Sequence, residues 1–156
     1  TEPDWRSSSV DTFAISAEIM QSGDIAVFGD TKFAYYSKDG ELIGTYEYPY
    51  QLYDFSAGVS NSAILLQREE FRKSTLVIIN DVNNPITIEL DKTAKGVYTS
   101  EKEIYVLTAD ELIAYSFDGV KIDSISVSDN YTGFVKINDY VFLNGYNEIN
   151  RTEFAD

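Results

Sequence analysis

Hydrophobic residues in this chain occur in short runs separated by polar turns, and the runs have the length and spacing of β-strands. Residues 25–28 are continuously apolar, as expected of a strand covered on both faces. Between residues 12 and 20, apolar side chains alternate with small or polar ones, which predicts a strand with one buried face. Helical periodicity is missing throughout the sequence, so the pattern predicts an all-β protein. The alternating apolar positions are Phe13, Ile15, Ala17 and Ile19.

One stretch of this pattern occurs twice. Residues 24–46 and 103–125 align without a gap, 79 residues apart, and are identical at seven positions. A degenerate third copy lies between them, with apolar runs at the corresponding places. The repeating unit is therefore about 40 residues long, which is the period of a four-stranded propeller blade. The identical pairs are Ile25/Ile104, Val27/Val106, Tyr36/Tyr115, Ser37/Ser116, Asp39/Asp118, Gly40/Gly119 and Ile43/Ile122.

An Asp-Gly pair stands between two apolar runs in both clear copies, at Asp39-Gly40 and Asp118-Gly119. This is a strong hairpin signal, because a type I′ turn requires positive φ at both central residues and these two residue types tolerate it. In the middle copy, Asn83 and Asn84 take the equivalent place, and asparagine can also adopt the left-handed conformation. The sequence predicts a hairpin in each unit.

The repeat divides residues 12–156 into one domain of four units, of which the last is one strand short. Residues 67–73 carry five charged side chains, which predicts a solvent-exposed loop or extended hairpin in the second unit. We predict an all-β fold of about four antiparallel, blade-like sheets that form a closed small β-propeller or an open arc, a partial propeller. The units cover about residues 12–49, 50–93, 94–129 and 130–156.

Residues 1–11 distinguish these two architectures. They are a linker if the arc is open, or an edge strand that completes the last unit if the ring is closed. The end faces of an open arc would be apolar and prone to pair. A soluble arc would therefore need a partner, either a second copy in a homodimer or the remainder of a longer propeller. Since the sequence begins with Thr1, we expect a processed chain or an excised part of a longer protein.

Composition excludes several chemistries. The 156 residues include no Cys and no His, which removes disulfides, thiolate catalysis, a Ser-His-Asp triad and the usual zinc sites. The net charge of −14 repels phosphate backbones, so nucleic acid is not an expected partner. No apolar run approaches the roughly 20 residues that span a bilayer, so we expect no membrane contact by this segment. We expect no cofactor and no bound metal.

The third unit resembles the blades of bacterial β-propellers of the WD40-like and PQQ-like superfamily. The likeness rests on residues 104–107, 112–115 and 122–125, together with the turn at Asp118-Gly119. The Trp-Asp dipeptide and the Trp that closes quinoprotein-type blades are missing. The sequence also looks like uncharacterised propeller segments of membrane-tethered surface proteins in anaerobic Gram-positive bacteria. The resemblance implies a partner-binding platform rather than a reaction, in a cell-surface or secreted protein outside the cytoplasm.

The candidate binding residues are Tyr48, Tyr50 and Tyr53, where the first unit passes into the second. Such a connection lies on the rim of a propeller, and tyrosine offers a flat apolar face with a polar tip, suited to a protein or carbohydrate ligand. The alternative is structural: Tyr53 packs between units while Tyr48 and Tyr50 line a turn.

Two other functions remain open at this point. Calcium could bind at the oxygen-rich turns 81–84 and 129–130, although neither has the spacing of an EF-hand. Paired carboxylates could act on a carbohydrate, but 26 acidic residues form many pairs by chance. We therefore expect a non-catalytic binding module, with a carboxylate- or calcium-dependent carbohydrate-active enzyme or a structural spacer in a longer surface protein as alternatives.

Overall fold

A computed structural model describes residues 12–127 in full and the backbone of three further strands, 131–137, 140–145 and 148–152. The residues described form fifteen strands and one 3₁₀ turn, Glu69–Phe71, and include no helix long and apolar enough to cross a bilayer. The strands are β1 (Ala14–Ile19), β2 (Ile25–Gly29), β3 (Lys32–Tyr36), β4 (Leu42–Glu47), β5 (Gln51–Ala57), β6 (Ser62–Arg68), β7 (Lys73–Ile79), β8 (Ile86–Glu89), β9 (Ala94–Thr99), β10 (Ile104–Thr108), β11 (Glu111–Tyr115), β12 (Lys121–Ser126), β13 (Tyr131–Ile137), β14 (Tyr140–Gly145) and β15 (Glu148–Thr152).

The strands form four antiparallel sheets, each made of consecutive strands in chain order. Sheet 1 contains β1–β4, sheet 2 β5–β8 and sheet 3 β9–β12, while sheet 4 contains the three strands β13–β15. The two clear sequence repeats have the same register, since Ile25 is opposite Tyr36 in sheet 1 and Ile104 is opposite Tyr115 in sheet 3. The prediction of an all-β fold built from repeated antiparallel sheets is confirmed.

Both Asp-Gly hairpins form where predicted, but their turns are not of type I′. In the first, the Gly40 N–H donates to the Ser37 carbonyl (2.9 Å) and the Ser37 N–H to the Glu41 carbonyl (2.8 Å). Gly40 has a φ of 88°, whereas Asp39 has no positive φ. This is a three-residue loop, in which a type I turn is followed by one left-handed residue. Gly119 repeats it with a φ of 86°.

The core lies between the sheets, because the central strands of sheets 1, 2 and 3 are apolar on both faces. One cluster joins sheet 1 to sheet 2, with Phe28 and Phe33 packed against Ile64 and Val77. A second joins sheet 2 to sheet 3, and a third covers the far face of sheet 3. The central strands of sheet 2 therefore pack against sheet 1 on one face and against sheet 3 on the other. This explains why their apolar runs are continuous in the sequence.

The first strands of sheets 2 and 3 are also joined by side-chain hydrogen bonds. The Val97 N–H donates to a carboxylate oxygen of Asp54 (3.0 Å), and the Thr99 N–H donates to the hydroxyl of Ser56 (2.9 Å). These bonds cross from β5 to β9, which are not partners in a ladder. They satisfy backbone donors on a strand that has a sheet neighbour on one side only.

The four sheets form an open arc in the part of the chain that the structure describes. No described sheet precedes sheet 1, and Phe13 before β1 and Ile15 and Ile19 on β1 are exposed. Residues 1–11, which could supply a closing strand, lie outside the described residues.

Residues 69–73 are exposed, as predicted for the charged insertion, but the side chain of Arg68 beside them is only 9% exposed.

Candidate functional site

The topology places two kinds of connection at one end of the arc. Because each sheet is an antiparallel meander, the loops between its second and third strands lie at the same end as the connections between sheets. We call this end the connection end. It includes the segment 48–50, the β6–β7 loop with its 3₁₀ turn, and Lys92. The predicted residues Tyr48 and Tyr50 both lie there, and Tyr53 lies near the start of β5.

Tyr48 lies between sheets rather than on the open surface. Its ring packs against the cluster that joins sheets 1 and 2, 6.2 Å from the ring of Tyr46. Its N–H donates to the Thr31 carbonyl (2.9 Å), which anchors the connection. The hydroxyl is buried and has no hydrogen-bond partner among the described residues. Burial raises the pKa of Tyr48, and the Asp30 carboxylate raises it further.

Replacing Tyr48 by Phe should therefore leave the protein as stable as the wild type or up to about 1 kcal/mol more stable at pH 7, because it removes a buried hydroxyl without a partner. The raised pKa means that the unfolded chain loses this proton first, so folding stability is full below about pH 10 and falls as the pH rises further. Urea unfolding at pH 8 and pH 11 measures both effects. A variant that is much less stable, or a difference independent of pH, would contradict this assignment.

Tyr50 is exposed and is held by Arg68. The guanidinium carbon lies 5.9 Å from the centre of the Tyr50 ring, in cation–π contact. The same guanidinium donates to the carbonyls of Leu90 (3.0 Å) and Ser74 (3.3 Å) and lies 3.5 Å from a carboxylate oxygen of Glu89. Because the arginine is fixed by these backbone groups, it gives Tyr50 a rigid support at the connection end.

Tyr53 and Phe71 are further exposed aromatic side chains at this end, where Phe13, before β1, is exposed as well. Tyr53 lies on β5 at a bulge, and Phe71, 62% exposed, ends the 3₁₀ turn. The structure thus brings two of the three predicted tyrosines to an exposed surface and adds Phe71 and Arg68, which the sequence analysis missed. The signal for Phe71 was present: it is a large aromatic residue within a charged insertion, where no core requires it.

No protein-family model matches the chain, and no curated protein matches its sequence. Solved structures match it closely in shape. BamB from Moraxella catarrhalis aligns over 91% of this chain and 49% of its own, with 10% identity and a TM-score of 0.65. BBS1N in complex with ARL6DN aligns over 93% and 53%, with 11% identity and a TM-score of 0.65. Both are β-propeller proteins.

The chain has a β-propeller fold. Hydrazine synthase from Kuenenia stuttgartiensis also matches, over 94% of this chain and 47% of that one, with 12% identity and a TM-score of 0.63. The chain spans about half the length of these structures, so its described part is a partial propeller. The likeness confirms the propeller part of the sequence resemblance and leaves its bacterial surface origin as an expectation.

The oxygen-rich turn of the propeller at residues 81–84 is closed by its own hydrogen bonds. The Asp81 carboxylate accepts from the Asn83 N–H (3.0 Å) and from the Asn84 side-chain amide (2.8 Å), and these bonds lower its pKa. Neither asparagine has a positive φ, so this Asx turn replaces the left-handed geometry that we predicted. The other oxygen-rich turn, 129–130, lies outside the described residues.

Carboxyl groups elsewhere in the propeller are arranged as surface ion pairs. At the connection end, Lys92 lies 2.8 Å from Asp110 and also contacts Glu111, and hydrogen bonds from Lys92 are the main cause of the lowered pKa of both acids. The cleft described between sheets 1 and 2 encloses about 170 Å³, beside Met20 and Asp81 at the opposite end. That volume is small compared with the roughly 300 to 1,000 Å³ of small-molecule sites.

Proposed function

We propose that this chain is a non-catalytic interaction module of a bacterial cell-surface or secreted protein, and that its connection end binds a protein partner. The observation that carries the proposal is the group of exposed aromatic side chains at that end. Tyr50 lies in the connection between sheets 1 and 2, Tyr53 lies near the start of β5, and Phe71 ends the 3₁₀ turn of the β6–β7 loop at the same end of the arc.

The physical chemistry of these residues suits a protein interface. A tyrosine buries a large area while immobilising few rotatable bonds, and tyrosine and arginine are enriched among the residues that dominate binding energy. Tyr50 is already supported by Arg68, whose guanidinium is fixed by the carbonyls of Leu90 and Ser74. The side chains of Tyr50 and Arg68 are therefore already ordered before a partner binds, and binding costs less side-chain entropy.

The carboxyl groups support a non-catalytic role. A carboxylic acid that donates a proton in glycoside hydrolysis needs a raised pKa, which burial in an apolar site supplies. The shifted carboxyl groups among the described residues are all shifted downward, because hydrogen bonds favour their charged form: Asp30, Asp81, Asp110 and Glu111. In addition, no group of three or more Asp or Glu side chains among these residues is placed to hold a metal. The hydrazine synthase match shows that this fold alone does not decide the question.

The class of ligand is inferred from the shape of the site and from its neighbours. The exposed aromatic groups line a rim rather than a deep pocket, and BBS1N is a propeller solved in complex with another protein, ARL6DN. The surface location rests on the sequence resemblance and on the net charge of −14, which suits a soluble, exposed module.

Selection of a phage-displayed random peptide library on the intact chain tests this proposal. We expect peptides that bind the wild type and lose about tenfold or more in affinity for the double variant Tyr50→Ala, Tyr53→Ala, because aromatic anchors each contribute about 1 kcal/mol or more. Binding is measured by titration of synthetic peptides. The matched control is Val120→Ala, which alters an exposed apolar residue in a hairpin at the opposite end and should leave the affinity unchanged.

Other outcomes separate the alternatives. Peptides that bind both variants equally would place the site elsewhere. A glycan array in which binding needs the same tyrosines would keep the site and make the ligand a carbohydrate. Turnover of a glycan would establish the enzyme, and a failure of every peptide and glycan to bind would favour a structural spacer.

A further inference from the structure

A cleft lies between sheets 1 and 2 at the end of the arc opposite the connection end. We call it the inter-sheet cleft. Its floor is formed by apolar side chains that are 0 to 5% exposed, and the less buried residues around its mouth carry polar groups. A group that enters the cleft therefore meets polar atoms at the mouth and apolar side chains below them. The floor includes Met20, Phe33, Ile79 and Val82, and the mouth includes Tyr35, Ser60, Asn80 and Asp81.

The volume of the inter-sheet cleft fits one side chain rather than a whole small-molecule ligand. The cleft encloses about 170 Å³. A cavity of about 150 Å³ inside a protein can hold a molecule as large as benzene, whereas small-molecule sites measure roughly 300 to 1,000 Å³. The cleft can therefore accept a single side chain that projects from the surface of another protein.

The walls of the inter-sheet cleft are fixed by contacts between sheets 1 and 2. The Gln21 N–H, in the β1–β2 turn, donates to the Val59 carbonyl in the β5–β6 turn (2.9 Å). At β4 the backbone passes close to the β7–β8 turn, since a Cβ added to Gly44 would lie 2.6 Å from Cγ1 of Val82. The cleft is therefore formed before a ligand binds, and binding does not have to order these turns.

The mouth of the inter-sheet cleft is negatively charged. Asp81 lies at the mouth, and hydrogen bonds from the side chain of Asn84 and the N–H of Asn83 lower its pKa, so it is ionised at neutral pH. Each carboxylate oxygen keeps a further lone pair that can accept from a ligand. Asp24 adds a second carboxylate, which accepts from the hydroxyl of Tyr35 (3.1 Å). The turns of sheets 1 and 2 at this end carry one basic residue, Lys38, and the acidic residues Asp24, Asp39, Glu41 and Asp81.

We propose that the inter-sheet cleft binds a lysine or arginine side chain of a partner protein. These side chains bury an aliphatic stem against apolar groups while the charged end stays near water. The stem would pack on the floor beside Met20 and Ile79, and the cationic end would lie at the mouth beside Asp81. An acidic side chain would be repelled there, and a purely apolar one would cover the Asp81 carboxylate without pairing it.

Titration of the isotope-labelled chain with a short peptide that carries one lysine among glycines, followed by NMR, tests this inference, which goes beyond the proposed function. We expect saturable shifts at the backbone amides of Met20, Ser60 and residues 80–82. The same peptide with norleucine keeps an aliphatic side chain without the charge, and it should bind about threefold more weakly or worse. A peptide with arginine should shift the same amides, and added salt should weaken both cationic peptides.

Variants of the chain separate the charge at the mouth from the shape of the cleft. Asp81→Asn should raise the dissociation constant of the lysine peptide about threefold or more, while its side-chain oxygen can still accept from the Asn83 N–H and keep the turn. The matched control is Glu101→Gln, which removes one negative charge from the β9–β10 turn of sheet 3 at the same end and should leave the affinity unchanged. Ser60→Phe keeps the charge but places a ring at the mouth, so it should abolish binding.

Shifts that spread over the acidic turns of all the described sheets would reflect general attraction to a chain of net charge −14 and would overturn the inference. Equal binding of the lysine and norleucine peptides, or equal losses in Asp81→Asn and Glu101→Gln, would overturn it as well. The double variant Tyr50→Ala, Tyr53→Ala should bind the lysine peptide like the wild type. The inter-sheet cleft and the connection end are thus measured separately, and the two proposals can fail independently.

Discussion

Phe28→Ala should destabilise the protein by about 3 to 5 kcal/mol, the largest effect expected of a single substitution here. Phe28 is fully buried between sheets 1 and 2. Its ring stacks on Phe55 of sheet 2 at 4.4 Å and meets the edge of Phe33 at 5.2 Å. Truncation removes the free energy gained by burying the ring and leaves a cavity. The strands on both sides cannot collapse into this cavity, because hydrogen bonds to neighbouring strands fix their backbones. Urea denaturation followed by circular dichroism measures the loss.

The control for this variant is Phe71→Ala. The same atoms are removed, but Phe71 is exposed at the end of the 3₁₀ turn, so its unfolding free energy should change by no more than about 0.5 kcal/mol. Equal effects of the two substitutions would show that the contact between sheets 1 and 2 is not part of the stable core. Peptide affinity should fall more in Phe71→Ala than in Phe28→Ala, because Phe71 lies at the connection end and Phe28 does not reach the surface.

Asp54→Ala should destabilise the protein by about 1 to 3 kcal/mol, because it leaves the N–H of Val97 without its acceptor. The Asp54 carboxylate also accepts from the N–H of Phe55 at 2.9 Å, so it fixes the backbone of β5 while it holds β9. We expect the backbone near the lost hydrogen bond to be affected more than the rest of the two sheets. Hydrogen exchange at Val97 and Thr99 should accelerate more than exchange in the outer strands of the same sheets.

Asp54→Asn separates the hydrogen bond from the charge. The side-chain amide keeps one oxygen that can accept from Val97, so most of the stability should return. If the asparagine and alanine variants are equally destabilised, the negative charge rather than the acceptor matters. If exchange at Val97 is unchanged in both, the bridge between β5 and β9 does not hold the sheets together.

Much of the fold was predictable because the signals are local. Alternation in β1, the continuous apolar runs and the Asp-Gly pairs each depend on a few neighbouring residues, and the repeat of Ile25 and Tyr36 at Ile104 and Tyr115 indicates that one kind of sheet recurs. The turn type was not predictable from the pair alone. A single left-handed glycine at Gly40 suffices when three residues form the loop, so the requirement on Asp39 disappears.

The candidate site was predictable in part. The tyrosines at residues 48–53 lie at or beside the connection between sheets 1 and 2, but which ring is exposed depends on neighbours remote in sequence. Tyr48 packs between sheets while Tyr50 is held outward by Arg68, eighteen positions away. Arg68 looked like part of an exposed charged loop, yet the carbonyls of Ser74 and Leu90 draw it inward.

The sequence by itself determined the strands and the hairpins, because each of these follows from contacts within about ten residues. Only the tertiary structure decided which faces meet and which stay uncovered. The side chains of Ile19 and Thr99 are opposite equivalent residues, and nothing local distinguishes their environments. Thr99 is buried because sheet 2 lies before sheet 3, whereas no sheet among the described residues lies before sheet 1.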